Sequence, residues 1–91
     1  MSTEKFACPC CGHKTYSEKP NGDYDICPVC FWEDCPVQFK NPDSKNGPNH
    51  VSLKEAQRNF NEFGACRRDI IQYVRKPTQD EQRDNSWKPL E

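Results

Sequence analysis

Large apolar side chains are scarce in this chain. Two Leu, three Ile, four Val and five Phe make up 14 of 91 residues, below the roughly 20% at which a sequence begins to look unable to fold. Long apolar runs are missing as well. Nothing approaches the ~18 consecutive apolar residues of a membrane span. The segment Met1-Ser2-Thr3-Glu4-Lys5-Phe6 lacks the apolar centre of about 7–15 residues that an export signal needs. A charge excess of one sign is absent too, since 13 basic and 14 acidic residues leave a net charge of −1. That balance argues against a strongly basic nucleic-acid binder, and equally against disorder driven by self-repulsion.

A single domain of this size with so thin a core needs another source of stability, and small domains usually recruit disulfides or a metal. Seven cysteines are present. A disulfide framework belongs to an oxidising compartment, and an odd count does not pair completely. The expectation is therefore a reduced, cytoplasmic protein whose cysteines hold a metal.

The spacing supports that choice. Cys8-Pro9-Cys10-Cys11-Gly12 and Cys27-Pro28-Val29-Cys30 each contain a C-x₂-C pair, with fifteen residues between Cys11 and Cys27. Two such pairs at this separation form a recognised zinc pattern. Two residues between cysteines allow a tight turn that aims both sulfurs at one ion. The proline after each first cysteine fixes φ within the turn, and Gly12 eases the exit. Two turns together supply four thiolates about 2.3 Å from the ion in a closed tetrahedral shell. Cys8, Cys11, Cys27 and Cys30 are thus the expected ligands of one Zn²⁺ per chain. A closed shell leaves no position for water or substrate, so catalysis at this centre is not expected. Iron is the alternative metal, as in rubredoxin, with electron transfer as the corresponding function. Rubredoxins usually place glycine after each pair, whereas Phe31 follows the second pair here, and this disfavours iron.

The expected architecture is a small α+β, metal-stabilised domain: a zinc ribbon or rubredoxin-like set of β-hairpins covered by one or two C-terminal helices. Residues 1–40 form the ribbon, with turn chemistry at Pro20-Asn21-Gly22-Asp23 and a half-buried strand at Tyr24-Asp25-Ile26. Residues 41–51 are loop, part of a wider irregular stretch over 36–50 marked by Pro36, Pro42, Gly47 and Pro48. Residues 52–76 are helical. Ser52 and Glu55 make a capping box, Leu53, Ala56, Phe60 and Phe63 share one face, and Gly64 suits a left-handed cap. A second helix is expected over Arg67–Lys76, with 77–91 a flexible polar tail from which Trp87 and Leu90 could dock.

The run Cys8-Pro9-Cys10-Cys11 resembles the cysteine-rich CPCC family, small bacterial proteins named for that motif. The likeness continues through Asp25-Ile26-Cys27-Pro28-Val29-Cys30-Phe31-Trp32-Glu33-Asp34, then Val51–Ala56, Asn59-Phe60 and Phe63-Gly64, ending near Tyr73-Val74-Arg75. It spans roughly residues 6–77 and implies a metal-binding domain with no assigned activity. An acidic residue is expected in such proteins where Cys35 stands, so no family role passes to it.

Other residues carry weaker signals. Cys10, between two ligands, is read as a packed or exposed neutral thiol, with a reactive redox thiol as the sharper alternative. Cys35 and Cys66 are read as small hydrophobes. His13 could replace a cysteine ligand but is expected to be hydrogen-bonded or solvent-facing, and His50 has no evident partner. Phe31 and Trp32 are read as core rings rather than a recognition surface. Arg67, Arg68, Arg75 and Lys76 make the helical part locally basic and keep nucleic-acid binding as a secondary reading. The leading expectation is a metal-stapled module that presents a surface to a protein partner.

Overall fold

The computed structural model describes residues 5–18 and 24–90. Its only paired strands among these are β1 (Phe6–Ala7) and β2 (Lys14–Tyr16), which run antiparallel with Phe6 opposite Tyr16 and Ala7 opposite Lys14. The first cysteine turn closes this hairpin. The expected strand at Tyr24-Asp25-Ile26 shrinks to a single bridge, Ile26 to Glu33, across the second cysteine turn. Tyr24 and Ile26 face outward, so no apolar face is gained by lengthening the ladder. The turn expected at Pro20–Asp23 lies outside the described residues.

Two helical expectations need correction. Residues 36–40 are not loop but a short helix, α1 (Pro36–Lys40), with Cys35 as its extended N-cap. Pro36 occupies the first helical turn, where the missing N–H costs nothing and the fixed φ helps. The segment expected as an α-helix over Arg67–Lys76 is a 3₁₀ helix, Arg68–Tyr73, ending in extended Val74. The intervening α2 (Leu53–Phe63) follows expectation closely. Ser52 Oγ accepts from the Glu55 N–H at 3.1 Å, and Gly64 takes φ +80° with its N–H bonded to Phe60 O.

The buried core joins Tyr16, Val29, Trp32, Leu53, Ala56, Ala65 and Ile70 to six cysteines, Cys8, Cys10, Cys11, Cys27, Cys30 and Cys66. Thiols thus occupy the volume that aliphatic side chains fill in an ordinary domain of this size. A second anchor is polar. Asn49 brackets Glu33, accepting from its N–H and donating to its carbonyl, and also donates to Gln38 Oε1. Gln38 donates to the carbonyls of Ser44 and Val51. Both amides are almost fully buried, and such groups stabilise only when satisfied. They fasten the 41–51 loop onto α1 and the second cysteine turn.

The polar segment after residue 77, expected as a loose tail, runs back along the first cysteine turn. Lys14 N–H donates to Gln82 O, Asp84 N–H to Gly12 O, and Arg83 Nε to Cys11 O, all within 3.0 Å. Trp87 lies over Gly12, where a Cβ would come within 2.5 Å of the indole ring. The docking uses backbone groups and a missing side chain rather than an apolar stripe.

Candidate metal centre

The two cysteine turns are built alike. In the first, Cys8 N–H donates to His13 O and Gly12 N–H to Cys8 O. In the second, Cys27 N–H donates to Trp32 O and Phe31 N–H to Cys27 O. The residue after each second cysteine is left-handed, Gly12 at φ +78° and Phe31 at φ +70°. Phe31 therefore adopts the backbone that a glycine would supply. Its being non-glycine leaves the turn unchanged, so the expectation that Phe31 disfavours iron loses its physical ground.

These turns bring together the sulfurs of Cys8, Cys11, Cys27 and Cys30, which all lie within 4.8 Å of one another. Cys8 Sγ is 3.5 Å from Cys30 Sγ, and Cys11 Sγ is 3.7 Å from Cys27 Sγ. Four thiolates at ~2.3 Å around a tetrahedral ion would stand about 3.8 Å apart, so the spacing fits one ion with little rearrangement. All four are fully buried, and all seven cysteines are free thiols. Among the described residues no other group of three cysteines, histidines or carboxylates comes together in this way.

The electrostatics are those of a cation site. Burial pushes the Cys8 and Cys30 thiols well up, while hydrogen bonding to Cys27 raises Cys11. Cys27 is lowered, chiefly by the Cys11 hydrogen bond, with Thr15 Oγ1 also donating to its sulfur at 3.1 Å. Without a cation, burial and mutual repulsion oppose gathering four thiolates in one place. A bound dication reverses that balance, because it deprotonates coordinating thiols outright.

Other sequence candidates separate from the centre. His13 Nδ1–H donates to Glu81 O at 2.8 Å and its ring meets Phe60 edge-on, which commits it away from the sulfurs. His50 is exposed with φ +63°. Cys35 is buried at the N-cap of α1. Cys66 is buried, donates its N–H to Cys30 O, and has a thiol pushed up to about 12 by burial. Cys10 is buried rather than exposed. Trp32 is a core ring as expected. Phe31 is only half-buried and stacks on Tyr73 at 5.7 Å between centroids. Sequence reasoning did not find this Phe31–Tyr73 pair or the role of Thr15 beside Cys27, since neither belongs to a spaced motif.

The fold and site define a small α+β protein with a four-cysteine cluster able to hold a metal ion. The chain belongs to the cysteine-rich CPCC family, whose family model matches residues 6–81. That match extends past residue 76, into the segment that returns to the first turn. No curated protein sequence matches the chain significantly.

Proposed function

We propose that this protein is a reduced, cytoplasmic binding module in which Cys8, Cys11, Cys27 and Cys30 hold one structural Zn²⁺ and the stapled fold presents a surface to a protein partner. The observation that carries the metal assignment is the set of four fully buried sulfurs within 4.8 Å. Zinc needs no redox chemistry and no geometry beyond this tetrahedron. Bound there, it would supply cross-linking rather than catalysis.

The partner surface is supported by strain at an exposed place. A bulky residue with φ +70° costs of order 1–2 kcal/mol, and such cost clusters at functional positions. Phe31 bears it while stacking on Tyr73, which is 61% exposed, and Ile71 beside it is 41% exposed. The basic residues speak for a protein rather than a nucleic acid. Arg67, Arg68 and Arg75 are paired with Asp69, Glu62 and Glu81 respectively.

Iron with electron transfer is a second reading, favoured by the left-handed Phe31 that makes both turns alike. Metal content and visible absorption of protein purified under reducing conditions separate the two. One zinc per chain without colour is the expected result. One iron per chain with strong visible absorption would replace the zinc reading. Because protons compete with metal for thiolates, the ion should also leave on acidification, with loss of structure.

A further inference from the structure

Between α2 and the returning C-terminal segment lies a cavity of about 230 Å³ that the metal centre does not use. Phe60, Trp87 and Leu90 supply apolar lining, Arg58 and Arg83 stand in its wall, and Cys10 lies at its edge. The walls come from distant parts of the chain but are tied together. Leu90 N–H donates to Gln57 Oε1 at 2.6 Å, and the Gln57 amide and the Trp87 indole N–H both donate to Pro9 O. The pocket is therefore preformed, which is the usual condition of a small-molecule site.

Its charge is unbalanced. Arg83 is spent on Cys11 O through Nε and lies over the Trp87 ring at 5.1 Å, and its terminal nitrogens have no partner among the described residues. Arg58 makes no ion pair or hydrogen bond among the described residues. The other three paired arginines each have a carboxylate partner. Two guanidinium groups without a carboxylate partner among the described residues, beside an apolar floor, match a ligand with an anionic head and an apolar body.

We infer that this pocket binds a small amphipathic organic anion, its carboxylate or phosphate head on Arg58 and Arg83 and its apolar body against Phe60, Trp87 and Leu90. The volume, a little below the ~300 Å³ at which drug-sized sites begin, suits a ligand of about ten non-hydrogen atoms. The site is independent of which metal the cysteines hold.

The test is a titration of the metal-loaded, full-length chain with phenylacetate, phenyl phosphate and neutral benzyl alcohol. The Trp87 indole N–H resonance is followed by NMR, with the Trp32 indole as internal control. Saturable one-to-one shifts are expected at Trp87, with the better anion binding at least tenfold tighter than benzyl alcohol. Whichever anion binds tighter assigns the head as carboxylic acid or phosphate ester. In R58Q, an exposed change that leaves metal content intact, the preference for anions should fall about tenfold. No saturable shift, equal affinity for benzyl alcohol, or unchanged anion preference in R58Q would each overturn the site.

Discussion

The two cysteine turns share a backbone and differ in what lies above it. Each has the same pair of closing hydrogen bonds and the same left-handed residue after its second cysteine. Above the first turn sits Trp87, so close that Gly12 has no room for a Cβ. Above the second, Phe31 carries a full aromatic side chain in the same conformation and lays it against Tyr73. Glycine at the first turn thus answers to a steric demand as well as a conformational one. The second turn answers only to the conformational demand and tolerates its cost. One turn is covered by its own chain, and the other displays a ring at the surface.

The largest effect should come from removing what the turns share. C27S deletes one of the four clustered sulfurs, the one that also accepts from Thr15 Oγ1. Structural zinc contributes an apparent ~10–16 kcal/mol to small domains, more than so thin a core can replace. Loss of bound metal and loss of folded structure are expected together, measured by elemental analysis and circular dichroism. C66S is the comparison within the same core. Cys66 is equally buried but lies outside the four-sulfur group, so metal content should stay at the wild-type value. A metal-loaded, folded C27S protein would disprove the ligand set, and metal loss in C66S would show that the four were chosen wrongly.

The next effect separates the turns. G12A places a methyl group within 2.5 Å of Trp87 and also forces alanine to φ +78°. Left-handed strain of about 1–2 kcal/mol and overpacking of about 1–3 kcal/mol give an expected destabilisation of roughly 2–5 kcal/mol. Combining it with W87A should relieve the steric part but not the conformational part. Denaturant unfolding of the metal-loaded single and double variants reads the difference. If the two changes add without coupling, Trp87 does not constrain Gly12.

What could be read from the sequence depends on whether a local rule carried the information. The four ligands were legible because a fixed spacing imposes the turn geometry. Helix α2 was legible because Ser52, Glu55 and Gly64 mark both its ends. The docked segment at 78–90 was legible only in Trp87 and Leu90, its two large apolar residues, since the rest is held by hydrogen bonds to the backbone of Gly12, Lys14 and Cys11. No hydrophobic periodicity announces such contacts. The short α1 was hidden by Pro36, which reads as a breaker in sequence but sits at the one helical position that accepts it. The buried Gln38–Asn49 pair was invisible for a related reason. Amides signal loops until a structure shows that they are fully bonded. Phe31 misled in the opposite direction, because residue type suggested a change in turn geometry that the backbone does not make.

The smallest effect isolates the strain at the second turn. F31G frees the backbone of about 1–2 kcal/mol of left-handed cost. Against that stand the entropy of a new glycine, ~0.5–1 kcal/mol, and a lost ring pair worth about 0.5–1.5 kcal/mol. The terms nearly cancel, so thermal stability of the metal-loaded protein should change by no more than about 1 kcal/mol. F31A keeps the strain and loses the ring, and should therefore be the less stable of the two by roughly 1 kcal/mol. If F31A instead matches F31G, the left-handed conformation at residue 31 costs no more than the ~0.5–1 kcal/mol that glycine loses in entropy. Strain could then no longer mark this turn as the functional one, and the case for a partner surface would rest on the exposure of Tyr73 and Ile71 alone.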